Sequence, residues 1–239
     1  MNYVKRFYRD WVKTQGLVSF AVKVKETDLF ISAQKDLSKE AEKSVIKYRR
    51  EIENYIEHNP LFEVALLPVE VEKDAPDIIK EMAEQAKKCD VGPMAAVAGA
   101  IAEFVGKDLL KYSSEIIVEN GGDIFIKTDK ERKIGIFAGH SPLSGKISIL
   151  IDPKDTPMGV CTSSGTVGPS FSFGQADAAV ILSKSATLAD AVATATANKV
   201  SAPSDIEKGV NYAKSIKGVT GALVVKNDKM ALWGSVKIA

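Results

Sequence analysis

Glu119-Asn120-Gly121-Gly122-Asp123-Ile124 is the stretch of this 239-residue chain that bears most directly on its fold, because it lies between two short apolar runs. Two adjacent glycines let the backbone bend without a Cβ penalty and let a ligand or another backbone come close. Asn120 and Asp123 place polar groups at the bend. The pattern predicts a turn between strands at 114–118 and 124–127. An ordinary hairpin turn explains the stretch equally well by itself, so its meaning depends on other segments.

Length, charge and cysteine content exclude several classes of protein. The chain is long enough to bury a hydrophobic core. Its 32 basic and 31 acidic side chains give a net charge of +1, so no overall field would attract nucleic acid or an anionic membrane. No apolar run approaches the ~20 residues of a membrane span, and the N-terminus lacks the apolar region of a secretion signal. We therefore expect a cytoplasmic protein that binds neither nucleic acid nor membrane.

The two cysteines, Cys89 and Cys161, are too few for a disulfide framework or a four-cysteine metal site. Two buried thiols are the favoured interpretation. No redox or metal chemistry follows from their number alone.

Hydrophobic periodicity predicts that one order of elements occurs twice. In the first half a hairpin at 17–24 and 28–33 precedes three helices, which begin near Ser38, Ala75 and Pro93, and the strands at 114–118 and 124–127. The second half contains strands at 133–138, 146–151 and 178–183, helices at 188–198 and 205–213, and a hairpin at 221–225 and 230–236. We therefore expect an α+β fold with antiparallel sheets and helices packed on one face. It would be one domain over residues 1–239, with pseudo-repeats at about 1–128 and 129–239, stacked around a cleft.

Three further segments contain residue types suited to a ligand. Asp90-Val91-Gly92-Pro93-Met94 leads into an Ala/Gly-rich helix, whose small side chains permit close approach of another helix or of a flat ligand. Asp190 and Thr194 lie on one face of a second such helix, where they would suit either Mg²⁺ or an ordinary hydrogen bond, and spacing alone favours the hydrogen bond. Thr162-Ser163-Ser164-Gly165-Thr166 suits phosphate but lacks the lysine of a P-loop, so an exposed turn explains it better in isolation.

Taken together, these segments resemble the ApbE-type superfamily of FAD:protein FMN transferases. Residues 90–102 resemble the helix-start motif D-L-G-G-I-A-K-G of that family, and residues 118–124 resemble N-x-G-G-D-I. Residues 161–165 resemble A-T-S-G, and residues 188–194 resemble A-D-x-x-A-T. The four motifs occur in family order, and their combination is more specific than any one of them. The chain is most similar to a short cytoplasmic branch found in anaerobes and methane-producing archaea.

The resemblance implies a tandem pair of T-fold-like repeats with a flavin between them, and therefore FAD or FMN together with Mg²⁺. Asp190 and Thr194 would ligate the metal with a main-chain carbonyl near Met94 or Ala95. The residues that would line the ligand cleft are Gly92, Met94, Asn120, Gly121, Gly122, Asp123, Thr162, Ser163, Ser164 and Gly165. No catalytic residue is assigned, and the candidates are Asp190 and Cys161.

The sequence also departs from the family. The lysine of the helix-start motif falls at Ala96, and its second glycine falls at Pro93. The H-x-x-D-P-x-T-G segment of the family has no counterpart in residues 168–177. The motif for FMN transfer is therefore incomplete, and we expect a flavin- or nucleotide-binding protein whose chemistry has diverged, towards altered FMN transfer or pyrophosphate cleavage.

Two other classes of function stay open. Cys161 adjoins the hydroxyl-rich turn and Cys89 precedes Asp90, so a thiol of lowered pKa could handle sulfur in sulfide assimilation. A non-catalytic ligand-binding module would retain its ligand without turnover. Small-residue helix faces and edge strands are compatible with a homodimer.

Overall fold

The computed structural model describes residues 14–166 and 174–239. Residues 1–13 lie outside the described residues, as does most of the segment 168–177, in which the sequence departs from the family motif. The strands are β1 Val18–Val24, β2 Thr27–Ala33, β3 Ile116–Asn120, β4 Asp123–Lys127, β5 Arg132–Gly135, β6 Ser148–Ile151, β7 Met158–Ser163, β8 Ala178–Ser183, β9 Val219–Lys226 and β10 Lys229–Gly234. The α-helices are α1 Ser38–His58, α2 Leu61–Val64, α3 Asp77–Lys88, α4 Val97–Leu109, α5 Ala186–Ala197 and α6 Ile206–Ser215. A 3₁₀ turn, Pro93–Ala96, precedes α4.

Eight strands form one sheet in the order β1-β2-β3-β4-β7-β8-β9-β10, and every neighbouring pair is antiparallel. Strands β5 and β6 form a separate two-stranded sheet. Successive side chains of a strand point to opposite faces. On β3, Ile116 and Val118 therefore join the core beneath the helices, while Ile117 joins the core beneath β5 and β6. The expected α+β class, with antiparallel strands and helices on one face, is confirmed.

Helix α1 shows the periodic burial that its sequence pattern predicts. Helix α1 buries Ala41, Ser44, Val45, Tyr48 and Ile52 at helical spacing. It ends at His58, with Asn59 as its C-terminal cap before Pro60, which cannot continue it. Ser38 is the first residue of the helix rather than its cap.

Strand β7 was missed by the sequence analysis. Its residues Met-Gly-Val-Cys-Thr-Ser combine few β-branched or aromatic side chains with a glycine, so the intrinsic strand signal is weak. As a consequence Thr162 and Ser163, expected in a loop, lie at the end of a strand. The hairpin that precedes α5 is β7 with β8, whereas the predicted pair at 133–138 and 146–151 forms the separate small sheet.

The two halves meet edge to edge rather than as stacked units. Ile124 of β4 pairs with Val160 of β7, and Ile126 pairs with Met158. One hydrogen-bonded ladder therefore runs through both halves. The boundary of the pseudo-repeats near residue 128 stays a prediction.

Helix α5 lies unusually close to the sheet and to α4. A Cβ on Gly159 of β7 would stand 2.3 Å from the Cα of Ala186, and a Cβ on Gly99 of α4 would stand 2.4 Å from the Ala186 oxygen. Only glycine at these two positions leaves room for the first turn of α5.

Within residues 14–166 and 174–239, no single helix has both the length and the apolar character needed to cross a membrane. Asp77–Lys88 and Pro93–Leu109 together meet that requirement on length and composition, with a bend of 102° between them.

We predict that Gly159→Ala lowers the free energy of unfolding by about 1–3 kcal/mol, because the added methyl group overpacks against the backbone of α5. Urea denaturation measures the change. The control is Lys133→Ala at an exposed position of β5, which should stay within about 0.5 kcal/mol of the wild type. Equal stability of Gly159→Ala and wild type would contradict the close approach of α5 to β7.

Candidate functional site

The double-glycine turn joins β3 to β4. Asn120 and Asp123 are paired directly opposite each other, and Gly121 and Gly122 between them have φ values of +70° and +110°. These backbone angles favour glycine because it has no Cβ. The Glu119 carboxylate accepts a hydrogen bond from the Gly122 N–H at 2.9 Å. The turn therefore holds Asn120 and Asp123, both almost completely buried, side by side.

The first turn of α4 connects this corner to Asp190. The side-chain amide of Asn120 donates to the Ala98 oxygen at 3.1 Å, and the Gly99 N–H donates to Asp190 Oδ2 at 2.8 Å. Ala98 and Gly99 are adjacent residues of α4, whereas Asp190 belongs to α5. The structure thus brings the predicted metal ligand and the double-glycine corner to the same helical turn.

The end of β7 forms a third side of the site. The Thr162 N–H donates to Asp123 Oδ1 at 3.3 Å, and the Cys161 thiol donates to the Ala186 oxygen at 3.3 Å. Ser163 ends the strand beside Thr162, and its side chain is partly exposed. Strand β7 therefore contacts both the corner at Asp123 and the start of α5.

The other predicted site residues differ in their exposure and in their hydrogen-bond partners. Thr194 is one helical turn beyond Asp190 and is partly exposed, as is Met94 in the 3₁₀ turn. Ser164 and Gly165 are bonded to Ala176, since Ser164 Oγ and the Gly165 N–H both donate to its main-chain oxygen.

Gly92 has a structural reason of its own. A Cβ there would stand 1.8 Å from the Ala65 oxygen, so main chain fills the space beside it. The need for glycine at this position is therefore explained without a ligand.

Burial gives the site unusual electrostatics. Burial raises the pKa of Asp190 to about 7, although hydrogen bonds from the Gly99 and Ala98 backbone act in the opposite direction. Burial first, and the nearby Asp190 carboxyl second, raises the pKa of Asp123 well above its usual range. The buried carboxylates of Glu103, Glu115 and Asp177 form ion pairs with basic side chains, away from Asp190 and Asp123. Two neighbouring carboxyl groups thus share a desolvated site.

This donor chemistry fits a divalent cation. Carboxylate and hydroxyl oxygens are the ligands that Mg²⁺ prefers, and a bound cation would offset the cost of ionising two buried carboxyl groups. The part of the chain that the structure describes contains no group of three or more His, Cys, Asp or Glu arranged for a metal. A cation at Asp190 would therefore take its other ligands from the Thr194 hydroxyl, main-chain carbonyls, ligand phosphate and water.

Both cysteines are buried thiols, so the favoured interpretation is confirmed. Burial raises the pKa of Cys89 to about 12. Burial, followed by the Asp123 and Asp190 carboxyl groups, raises the pKa of Cys161 well above its usual range. A reactive thiolate requires a lowered pKa. Sulfur handling by Cys161 or Cys89 would need a thiol of lowered pKa, and both pKa values are raised instead.

Sequence reasoning missed Glu103, a buried carboxylate of α4 that is bonded to the first turn of α5. The available signal was a charged residue within the otherwise apolar stretch at residues 97–106. Hydrophobic periodicity alone did not indicate which neighbouring element this side chain contacts.

Comparison with known proteins identifies the family of the chain. Residues 9–226 match the family model described as "AbpE bacteria". The chain belongs to this AbpE family. It is 39% identical over 216 residues to a UPF0280 protein of Methanosarcina acetivorans, a match that covers 89% of this chain and 85% of that protein. It is 42% identical to a UPF0280 protein of Methanocaldococcus jannaschii, with 89% of each chain covered.

Solved structures show the same fold. The flavinyl transferase ApbE of Pseudomonas stutzeri matches with a TM-score of 0.59 at 13% identity, covering 91% of this chain and 94% of that one. The ApbE protein of Thermotoga maritima matches with a TM-score of 0.54 at 13% identity, covering 92% and 97%. The resemblance to the ApbE-type superfamily, and to a branch present in methane-producing archaea, is confirmed.

The raised pKa of Asp190 predicts how the stability of the metal-free protein depends on pH. The folded state binds the Asp190 proton more tightly than the unfolded state, so this contribution is complete below the ordinary pKa of 3.8 and is lost as the pH rises through about 7. Urea denaturation across that range should show wild type losing stability relative to Asp190→Asn.

The control for this measurement is Asp152→Asn, because hydrogen bonds from Lys154 lower the pKa of that carboxyl instead. This variant should keep the wild-type loss of stability with rising pH. Parallel pH profiles for wild type and Asp190→Asn would show that Asp190 is not desolvated.

Proposed function

We propose that this protein binds FAD, or a related dinucleotide, together with Mg²⁺ in the site formed by the double-glycine corner, the start of α4 and α5. One observation carries the proposal. The first turn of α4 bonds to Asn120 through Ala98 and to Asp190 through Gly99, so residues distant in sequence meet at one place. The shared fold with ApbE flavin transferases supports a flavin as the ligand.

The residues of the site divide between metal and phosphate. Asp190 would bind the cation through the oxygen not engaged by Gly99, with the Thr194 hydroxyl one turn away. Thr162 and Ser163 would offer hydroxyl groups to phosphate oxygens. When bound, Mg²⁺ supplies Lewis-acid stabilisation of the negative charge that develops as a pyrophosphate is cleaved.

The chain's own side chains support binding more directly than transfer. Ala96, which falls where the superfamily has a lysine, is fully buried in the core. The Cys161 thiol is buried, and burial raises its pKa well above the usual range, which disfavours the thiolate that a nucleophile requires. Pyrophosphate cleavage or FMN transfer is the catalytic form of the proposal, and retention of the intact ligand is its non-catalytic form.

We predict that the purified protein binds FAD in the presence of Mg²⁺ and that Asp190→Ala weakens this binding by about tenfold or more. Isothermal titration calorimetry with and without Mg²⁺ measures the effect. The control is Asp228→Ala, which removes an exposed carboxylate from the turn between β9 and β10 and should bind as wild type does. Absence of binding by wild type at saturating FAD and Mg²⁺ would overturn the proposal.

The catalytic form predicts that wild type releases AMP from FAD when Mg²⁺ is present, whereas Asp190→Ala releases none. Liquid chromatography of the reaction separates AMP, FMN and FAD. Recovery of intact FAD from a complex that binds it would restrict the function to ligand binding. AMP release by Asp190→Ala at the wild-type rate would exclude Asp190 from the chemistry.

A further inference from the structure

Glu103 of α4 holds the beginning of α5. Its side chain is 3% exposed, and its Oε2 atom accepts three hydrogen bonds. The donors are Ser185 Oγ at 2.9 Å, the Thr187 N–H at 2.9 Å and Thr187 Oγ1 at 3.0 Å. The same Ser185 hydroxyl accepts a hydrogen bond from the Leu188 N–H and so caps α5. One buried oxygen therefore fixes both the cap and the first turn of the helix that carries Asp190.

The two helices are tied together in both directions. Asp190 of α5 accepts from the Gly99 N–H in the first turn of α4, and Glu103 of α4 accepts from the Thr187 N–H in the first turn of α5. Each carboxylate lies where the helix dipole favours negative charge. The two interactions oppose sliding or rotation of one helix along the other.

Side-chain shape provides little of this restraint. Between Ala186 and Ala197 the helix is built mainly of alanine and threonine, with Leu188 and Val192 as its larger apolar side chains. Interlocking packing between helices depends on large side chains that fit into grooves. The hydrogen bonds of Glu103 therefore add a directional restraint to the close backbone packing of α5 against Gly99 and Gly159.

We propose that Glu103 is a positioning residue that sets Asp190 against the double-glycine corner and thereby determines the cation affinity of the site. The inference rests on the proposed function, since it concerns the same cation. Thr187 is three residues before Asp190, less than one helical turn, so a displacement at Glu103 passes directly to the carboxylate.

The test measures Mn²⁺ binding to the purified protein by electron paramagnetic resonance, at a pH above the value of about 7 that burial gives the Asp190 pKa. Removing the partner that orients a metal ligand weakens metal binding by about 10- to 100-fold. We expect that loss for Glu103→Ala. Glu103→Gln keeps an oxygen that can accept from Ser185 and Thr187, so it should stay within about threefold of wild type.

Glu115→Ala is the matched control. Glu115 is also buried, and its Oε2 likewise accepts three hydrogen bonds, from Thr128 Oγ1, the Asp129 N–H and Arg132. It lies five residues before Asn120 along an extended strand, about 16 Å away. We expect Glu115→Ala to lower the melting temperature and leave the Mn²⁺ dissociation constant within about twofold of wild type.

The outcomes separate two failures. If wild type binds Mn²⁺ and Glu103→Ala binds it equally well, Glu103 does not position the site, and this inference is wrong while the proposed function stands. If wild type binds no Mn²⁺, the metal part of the proposed function fails and the inference fails with it. Should Glu103→Ala not fold, Thr187→Val, which removes one of the three hydrogen bonds, replaces it, and unchanged Mn²⁺ affinity in that variant would count against the inference.

Discussion

The close approach of α5 to β7 and α4 is the constraint on which the rest of the structure depends. Gly99, Gly159 and Ala186 meet there without intervening side chains. This contact places the start of α5 directly above the strand that joins the second half of the sheet to the first. Larger residues would move α5 outward, and Asp190 would lose its bond to the first turn of α4.

The close approach of α5 to β7 and α4 also determines the electrostatics of Asp190 and Asp123. It removes water from Asp190 and Asp123, so ionising both is unfavourable, as the direction of their pKa shifts shows. Hydrogen bonds from the start of α4 to Asp190 and from the end of β7 to Asp123 orient these groups without neutralising them. These groups are therefore held in place without a ligand, and the cation proposed above would offset the cost of ionising both carboxyl groups.

Local signals predicted much of the fold and part of the site. The paired glycines at 121 and 122 and the periodic apolar residues of α1 are short-range features, and the structure confirms both. Strand β7 escaped prediction because its strand character comes from the neighbours β4 and β8 rather than from its own side chains. The bond between Gly99 and Asp190 joins positions 91 apart in sequence, so spacing could place each on a helix but not bring them together. Glu103 escaped because its partners, Ser185 and Thr187, are similarly distant.

The pairing of β4 with β7 has a consequence for fragments of the chain. Inside the intact molecule each of these strands is hydrogen-bonded on both sides. A chain divided between them would leave each piece with a row of unsatisfied backbone donors and acceptors beside exposed isoleucine, valine and methionine. Such edges are templates for intermolecular β-pairing. Separately expressed halves would accordingly tend to self-associate into insoluble material. In the intact chain, each half covers the strand edge that the other half would otherwise expose.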